Sequence, residues 1–492
     1  MNGLGLNLQN YASASGASGG QSSAEDLDVL NKALSAQHIT GRETTGLTSA
    51  SGAPLKVESL DKTLKLITFK ESEIVLWKRI PKLQAFNTVE EYNQLTDYGT
   101  NRGGFIVEGE LPVSEDSQYV RRSQLVKFMG VTRSVTHPMS LVNTQIGDVI
   151  AKEAKNGAMW LLRRLNESLT RANSDIVPQE FNGLYAQHRT GQGAITLDNY
   201  FDSETVVDLR GNALTESAIE DAMEGIIENH GVGTDLFAPP KVLSDFVKSF
   251  YGNKFIAPNT QQTASGIMGQ RVQQFDSQFG RVNLNHDIFM NKLADKTTVT
   301  AATSTQAPTP PVAGGTPLAV VAADASSKWD AGTAGDYLYA VTAINRFGES
   351  SLYATAAATI VAGGSVDLQF VAGGGANAPT GYRIYRSNEG AANAAVAKFS
   401  PLFEISAIEL ANGYDGAAVG TVRDRNRLMP NTYSAFLIEN SEDVHAFRQL
   451  APLMKMDLAM VSTAYRFMVL LYGTPLLFAP KKMVRFVNIG VS

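Results

Sequence analysis

The longest regular pattern of apolar positions lies between Gln145 and Asn173. Apolar side chains recur there at steps of three and four residues, which places them on one face of an α-helix. They are Ile146, Val149, Ile150, Ala154, Ala158, Leu161, Leu162, Leu165 and Leu169. Asp148 lies in the first turn and Arg171 near the end, the distribution that the helix dipole favours. A helix of this span would be about 40 Å long, which predicts the spine of a subunit.

Two more helices are predicted between residues 213 and 259, and two strands follow them. Ser217 and Glu220 fit a capping box at the start of the first helix, and Gly231 fits its C-terminal cap. A pair of consecutive prolines begins the second helix. The strands are predicted at Val272–Phe275 and Gly280–Phe289, where apolar and polar residues alternate. This region is therefore a mixed helix and strand domain.

Between Thr100 and Met139 the pattern predicts a long, polar, two-armed hairpin. Its outgoing arm is Phe105–Val107, its charged tip is Ser114–Arg122, and its return arm is Leu125–Thr132. Neither arm has enough apolar residues to bury itself, and a lone two-stranded ribbon is marginally stable. We therefore expect the hairpin to project from the body and to be stabilised by another chain.

The predicted hairpin carries the one charge pattern to which we assign a function. Acidic and basic side chains are grouped along it: Glu108, Glu110, Glu115, Asp116, Arg121, Arg122 and Lys127. These side chains form either a solvated surface or ion pairs with an adjacent subunit, and the sequence leaves both interpretations open. An exposed pair contributes only about 0.2–1 kcal/mol, but a repeated interface multiplies that contribution.

A separate strand pattern begins near residue 337. Tyr339, Val341 and Ala343 alternate with smaller or polar residues, and Asn345 and Gly348 supply a turn. The spacing Tyr-x-Val-x-Ala-x-Asn-x-x-Gly-x-Ser is similar to a strand of fibronectin type III and related immunoglobulin-like sandwiches. It precedes two more predicted strands, Val366–Phe370 and Gly381–Arg386, whereas in that family it comes late, so the strand order is permuted.

Composition marks the same region as an insertion into the surrounding domain. A Pro/Thr/Gly linker spans Thr303 to Pro317, and the following residues are rich in Ala and Gly up to Arg425. Asp424, between two arginines, is predicted to form a salt bridge at the domain junction. The outer domain resumes after Met429. Its apolar stretch Phe467–Pro480 contains a Gly-Thr-Pro sequence and is predicted to be a buried strand pair with a turn, too short to span a bilayer.

The overall composition narrows the possible functions. The net charge of -6 argues against nucleic acid as the main binding partner, since phosphate binding needs clustered Lys and Arg. The chain has no cysteine, which excludes disulfides, zinc thiolates and thiol catalysis. The first basic residue is Lys32, so the start lacks the charged region of a signal peptide. We expect a protein made in a bacterial cytoplasm, without a membrane anchor.

The sequence offers only weak candidates for catalytic or metal-binding residues. The six histidines lie far apart in sequence, at positions 38, 137, 188, 230, 286 and 445, and none has the spacing of a local metal site. Each is predicted to be a surface or cap residue. We find no catalytic constellation, so we predict that the protein is not an enzyme and has no cofactor or metal.

The order of these elements resembles the major capsid protein of tailed bacteriophages, which has the Hong Kong 97-type fold. A flexible arm comes first, because fourteen of the first 25 residues are Gly, Ala or Ser. The hairpin, spine helix, mixed domain and returning C-terminal segment come after it. Four short strings carry the similarity: Glu108-Gly109, Lys127-Phe-Met-Gly130-x-Thr132, Phe181-Asn-Gly-Leu184 and Phe279-Gly-Arg-Val-Asn-Leu284.

The resemblance implies an α+β fold of the Hong Kong 97 type with an inserted all-β immunoglobulin-like sandwich. It implies seven segments along the chain: an N-terminal arm (1–70), the first part of the peripheral domain (71–99), the E-loop (100–138), the peripheral domain with the spine helix (139–212), the axial domain (213–302), the insert (303–427) and the C-terminal completion of the axial and peripheral domains (428–492). The insert would project outward as a decoration.

The function implied is that of a major capsid protein, which self-assembles from pentamers and hexamers into an icosahedral shell around double-stranded DNA. Expected partners are other copies of the chain and scaffolding, portal and decoration proteins, with no sequence-specific DNA binding and no membrane. The virion would be assembled in the host bacterial cytoplasm. An encapsulin-like compartment, an extracellular carbohydrate-active enzyme with a fibronectin-like accessory domain, and a cell-surface adhesion or tail protein are the alternatives.

Overall fold

The computed structural model describes residues 68–99, 105–111, 114–142, 147–192, 196–253, 272–390, 393–460 and 462–491. By its contacts the chain divides into two units, of which the larger is Ile67–Asn143 with Asp148–Ser492. The predicted N-terminal arm lies almost entirely outside the described residues. Within the larger unit, residues 303–427 are called the insert and the other described residues are called the body.

The described residues have a mixed α+β fold. The helices are α1 Leu76–Arg79, α2 His137–Leu141, α3 Val149–Arg171, α4 Leu184–Gly191, α5 Leu197–Phe201, α6 Glu216–Glu228, α7 Pro240–Asn253 and α8 Ala407–Asn412. The strands of the body are β1 Lys82–Gln84, β2 Val89–Asp97, β3 Gln118–Leu125, β4 Lys127–Thr136, β5 Val206–Asp208, β6 Asp235–Ala238, β7 Gln274–Ser277, β8 Gly280–His286, β17 Tyr433–Ile438, β18 His445–Asp457, β19 Ala464–Leu477 and β20 Met483–Ile489. Those of the insert are β9 Val312–Val321, β10 Gly335–Asn345, β11 Gly348–Glu349, β12 Tyr353–Ile360, β13 Ser365–Val371, β14 Gly381–Ser387, β15 Phe399–Ser406 and β16 Thr421–Asp424.

The predicted spine helix is confirmed as α3, which packs on a four-stranded sheet of order β1-β18-β19-β4. Asp148 is its N-cap and accepts a hydrogen bond from the backbone N–H of Ile150 at 2.9 Å. Residues 145 and 146 of the predicted helix lie outside the described residues. Leu161, Leu165 and Leu169 are fully buried in the core shared with the sheet, as the three- and four-residue spacing requires.

A second sheet, of order β5-β20-β17-β6-β8-β7, carries α6 and α7. Both predicted helices are confirmed, but the first is capped by Thr215, whose side chain accepts from the N–H of Ala218 at 3.3 Å. The predicted Ser217–Glu220 capping box is therefore wrong by two residues. His230, with φ of 62°, adopts the left-handed conformation beyond the helix end that we assigned to Gly231.

The insert forms two sheets around one core. One sheet has the order β11-β10-β14-β15, with β12 also paired to β10, and the other has the order β16-β13-β9. Side chains from both sheets meet in a single buried cluster that includes Tyr339, Leu368 and Ile384. The strands predicted at 366–370 and 381–386 are confirmed as β13 and β14.

The predicted strand pair at Phe467–Pro480 is wrong, because β19 runs without a turn from Ala464 to Leu477. It pairs with β4 from Ala464 to Gly473 and with β18 up to Leu477. The Gly-Thr-Pro sequence lies where β4 has ended. A proline is tolerated in a sheet at such an unpaired edge, so this sequence does not interrupt the strand.

The predicted pairing within the hairpin is also wrong. The structure pairs β2 with β3, antiparallel, and Phe105–Val107 is not a strand. The predicted return arm belongs to β4, which leaves the hairpin and pairs with β19. Arg121 and Arg122 consequently lie within β3 and not at a tip. The paired ribbon, named the β2–β3 hairpin, spans residues 89–125, with only Val126 between it and β4.

Candidate assembly surface

The β2–β3 hairpin contacts the body through side chains in the middle of β2. The ring of Tyr92 packs edge-on against Phe478 with centroids 5.0 Å apart, and its hydroxyl donates to the carbonyl of Leu477 at 3.4 Å. Gln94 also bonds to the carbonyl of Phe478. Burial at this contact raises the pKa of Tyr92, against the opposing effect of the Arg122 charge. Most of the remaining ribbon residues are exposed or half-buried.

Large apolar side chains are concentrated on and beside this hairpin. Nearly half of those that the described residues expose lie within 86–142, and Leu111 and Tyr98 are 92% and 83% exposed. The set within 86–142 is Phe86, Val89, Leu95, Tyr98, Phe105, Ile106, Val107, Leu111, Tyr119, Val120, Leu125, Phe128, Met139, Leu141 and Val142. Such a concentration is typical of interaction surfaces, because a solvated hairpin gains nothing from exposed apolar groups.

The structure gives the three predicted basic residues partners within the chain. Arg121 lies 3.3 Å from Glu91 on the paired strand, and the Nε of Arg122 donates to Gln94 at 3.3 Å. Lys127 donates to the carbonyl of Pro178 at 2.6 Å. The first two contacts join β3 to β2 within the hairpin, and the third joins the start of β4 to Pro178.

The predicted acidic residues are placed differently. Glu108, Glu110, Glu115 and Asp116 are all exposed, on the segments that connect β2 to β3. The carboxylates of Glu108, Glu110 and Asp116 have no ion pair or hydrogen bond with any residue that the structure describes. The structure thus places six of the seven residues on the β2–β3 hairpin and Lys127 at the start of β4. The three basic groups have intrachain contacts, and the four acidic residues are exposed.

Sequence reasoning missed the junction between the insert and the body. Arg425 and Arg427, which follow β16, both contact the body residue Asp198, Arg425 at 3.5 Å. The same arginines lie 3.0 and 3.1 Å from Asp415. Burial raises the pKa of Asp415 to about 6, although Arg425 acts in the opposite direction. The alternating arginines at 423, 425 and 427 were the available signal, although β16 ends at Asp424 and only Arg423 of the three lies on the strand.

Asp424 itself does not form the predicted junction salt bridge. It is buried inside the insert, where it accepts from the hydroxyl of Tyr339 at 2.7 Å and from Arg386 at 2.8 Å. Arg386 is also fully buried and stacks on the ring of Trp329 at 4.5 Å. The buried pair therefore holds the two sheets of the insert together.

Apolar and polar contacts extend the junction beyond these arginines. Ile176 of the body packs against Ile344 of the insert, and a Cβ at Gly381 would lie only 2.6 Å from Ile176. Arg189 on α4 pairs with Glu409 on α8 at 2.7 Å. The insert therefore contacts the body at several points besides the two chain segments that connect it to the body.

Two of the six histidines are core residues, contrary to the prediction. His188 is fully buried, with Nε2 2.8 Å from the carbonyl of Met483 and Nδ1 2.9 Å from the hydroxyl of Tyr200. Burial lowers the pKa of His188 to about 3 and that of His445 to about 4. No group of His, Asp and Glu in the described residues is arranged to hold a metal ion. Within the same residues, no helix is long and apolar enough to cross a bilayer.

Comparison of the sequence with known proteins identifies a family that this chain matches. The model of a family described as SU10 major capsid protein matches residues 39–307, more than half of the chain. The major capsid protein of Staphylococcus phage S25-3 is 26% identical over 480 residues, covering 92% of this chain and 93% of the relative.

Solved structures show more distant likenesses. The structure of Gordonia phage Cozz has a TM-score of 0.43 and 9% identity, covering 91% of this chain and 96% of its own. The holo-SrpI encapsulin complex from Synechococcus elongatus PCC 7942 has a TM-score of 0.39 and 9% identity, covering 91% and 97%. The chain is assigned to its family by the match to the family model, and not by these structural similarities.

Proposed function

Since the chain belongs to the SU10 major capsid protein family, we propose that pentamers and hexamers of it form an icosahedral shell of the Hong Kong 97 type around double-stranded DNA. As a phage major capsid protein, it is a component of the virion and assembles into a multimeric capsid. This family is not an enzyme class, and the match does not favour the encapsulin and carbohydrate-active enzyme alternatives. Assembly takes place in the host bacterial cytoplasm, where scaffolding, portal and decoration proteins are further proposed partners.

The β2–β3 hairpin is the element through which we propose that neighbouring subunits contact each other. The single observation that carries this proposal is its surface, which combines exposed apolar side chains with the carboxylates of Glu108, Glu110 and Asp116. Its role is that of the E-loop, here starting at Val89 instead of Thr100. The acidic groups, Glu115 among them, meet cations of an adjacent copy, and Arg121, Arg122 and Lys127 hold the hairpin in position for that contact.

The insert is proposed to be an immunoglobulin-like sandwich that decorates the outer surface of the shell. Two sheets that share one buried core support this proposal. The other segments keep the roles that the resemblance implies, with α3 as the spine of the peripheral domain and residues 213–302 in the axial domain. The firm junction at Asp198 would hold the decoration at a fixed angle.

Charge reversal on the hairpin tests the assembly role. The double variant Glu108→Lys/Glu110→Lys should fold normally, because exposed residues without partners affect stability by only about 0.5 kcal/mol. Its particle yield, measured by sedimentation and electron microscopy, should fall sharply at low salt and recover as salt screens the repulsion. Glu442→Lys/Asp443→Lys, an equally exposed acidic pair in the body, is the matched control. Normal particles from the hairpin variant at low salt would contradict the proposal.

A further inference from the structure

A cavity of about 270 Å³ lies between the body and the insert. Tyr185 on α4 and Arg485 on β20 line its body side, and Phe403 and Tyr414 line its insert side. One water occupies roughly 30 Å³ in the liquid, so the space is several waters large. It approaches the roughly 300 Å³ at which small-molecule sites begin.

Two of the cations that line the cavity have no carboxylate partner. The guanidinium of Arg485 stacks on the ring of Tyr185 at 4.1 Å, and its Nε is buried without a hydrogen bond. No ion pair or side-chain hydrogen bond connects Arg485 to any residue in the described part of the chain. Arg171 donates only to backbone carbonyls, that of Met290 at 2.9 Å and that of Asn291.

The neighbouring arginines show that this arrangement is unusual here. Arg189 is paired with Glu409 at 2.7 Å, and Arg383 donates from Nε to Glu404 at 2.7 Å. Glu404 and the exposed Asp175 also line the cavity, and Arg383 engages one oxygen of the Glu404 carboxylate. Burial lowers the pKa of Arg171, against the opposing effects of Tyr185 and Glu404. Arg171 and Arg485 are half-buried and without an ion pair to the described residues, and a cation that loses water without a counter-charge is costly, so the cavity favours an anionic occupant.

The aromatic side chains of the cavity walls indicate which groups the rest of the ligand contains. Phe403 and Tyr414 stack with their ring centroids 5.1 Å apart and their planes within 16°. Together with Tyr185 they form aromatic surfaces near the unpaired guanidinium groups. Flat apolar groups pack well against such surfaces, whereas a free inorganic anion would leave them in contact with water.

We propose that this cavity binds a small aromatic carboxylate, whose carboxylate pairs with Arg485 and whose ring packs between the aromatic walls. The planar guanidinium fork matches a carboxylate in a bidentate geometry. The bound molecule contacts body and insert at once, so it stabilises the state in which the two are docked. The proposal is independent of the hairpin contacts that are assigned to assembly.

Calorimetric titration of the purified full-length protein tests this proposal with benzoate as the probe. Benzyl alcohol, which lacks the charge, and inorganic phosphate, which lacks the ring, should each bind at least about tenfold more weakly than benzoate. Arg485→Gln should weaken benzoate binding by about tenfold or more. Arg346→Gln changes an exposed arginine of the insert, outside the residues that line the cavity, and should leave benzoate binding unchanged.

Three results would overturn the proposal. The first is the absence of saturable benzoate binding by the wild-type protein, and the second is equal binding of benzoate by Arg485→Gln. The third is phosphate or benzyl alcohol binding as tightly as benzoate, which would remove the role of the ring or of the charge. If Arg485→Gln does not fold, the three probes on the wild-type protein still decide. Shell assembly is not a readout here, so failure of this proposal and failure of the capsid proposal are distinguishable.

Discussion

The side-chain amide of Gln187 donates from Nε2 to the carbonyl oxygen of Pro475 at 2.8 Å. Its Oε1 accepts from the backbone N–H of Leu477 at 2.8 Å, and Nε2 also donates to the carbonyl of Asn182 at 2.6 Å. Pairing between β4 and β19 ends at Gly473. Beyond that residue the amide of Gln187 satisfies backbone groups of β19 that no strand reaches, as buried polar groups require.

Replacing Gln187 should therefore weaken the body strongly. Gln187→Leu keeps much of the volume but leaves the N–H of Leu477 and two carbonyls without partners in a buried site. We expect the free energy of unfolding to fall by about 2–4 kcal/mol, measured by urea denaturation of the unassembled subunit. Gln179→Leu, at an exposed position nearby in sequence, is the control and should change it by less than about 0.5 kcal/mol. Equal effects of the two variants would contradict the assigned role of Gln187.

Asp198 should be the more important of two body carboxylates that face cations of the insert. It pairs with the buried Arg427, whereas Asp202 pairs with Lys328 in a contact where both side chains are about half exposed. Asp198→Asn should destabilise the junction by about 1–3 kcal/mol and Asp202→Asn by at most about 1 kcal/mol. The predicted linker is shorter than 303–317, because β9 begins at Val312, and limited proteolysis at residues 303–311 provides the measurement. Faster cleavage in the Asp202 variant than in the Asp198 variant would reverse this ranking.

Acid should destabilise the subunit through His188. Its folded-state pKa of about 3 lies below the ordinary value of about 6.5, so its contribution to stability is complete above pH 6.5. Below that pH the unfolded chain takes up a proton that the folded chain excludes, and stability declines towards pH 3. At pH 5 the loss from this one residue is roughly 2 kcal/mol.

The variant His188→Gln isolates this effect. His445, with a pKa of about 4, acts in the same direction, and Asp415, with a raised pKa of about 6, acts in the opposite one. Both are present in the variant and cancel in the comparison. The melting temperature of His188→Gln should fall less between pH 7 and pH 5 than that of the wild type. Parallel melting curves for the two proteins would show that His188 does not take part.

Variants of Arg121 and Glu91 distinguish two roles for Arg121, an ion pair within the chain and a contact with a neighbouring subunit. Arg121→Glu places two carboxylates at diagonal positions on adjacent strands, because Arg121 is opposite Asn93 and reaches Glu91 at 3.3 Å, and their repulsion opposes the paired geometry that assembly needs. Adding Glu91→Arg restores an intrachain pair with reversed polarity, and we expect it to restore particle formation, counted by electron microscopy. Persistent failure of the double variant would instead assign Arg121 to a neighbouring subunit.

Local patterns in the sequence correctly predicted helices and strands that have a clearly amphipathic face or whose partners lie near in sequence. The spacing of Leu161, Leu165 and Leu169 gave α3, and the alternation around Val341 gave β10. The errors concern contacts between distant residues. Lys127 begins a strand whose partner lies more than 300 residues later, and no local pattern distinguishes that strand from a hairpin arm. Gly473-Thr-Pro475 resembles a turn until Gln187 is in place beside it.

The same limit applies to the candidate surface. The seven charged residues could be assigned to one hairpin because they are close in sequence, but the pairing of Arg121 depended on knowing that β2 is its neighbour. The junction residues Asp198 and Arg427 are 229 positions apart. Neither has a distinctive local context, so only the folded chain brings them together.

The single residue between β3 and β4 has a mechanical consequence. Val126 is buried, and its N–H bonds to the carbonyl of Thr88 at 2.8 Å, so the ribbon joins the four-stranded sheet through a stiff joint without slack. A neighbour that bends the ribbon therefore applies torque to β4 and, through ten paired residues, to β19. We therefore expect contacts with neighbouring subunits of the capsid to strain the core of each subunit through this joint.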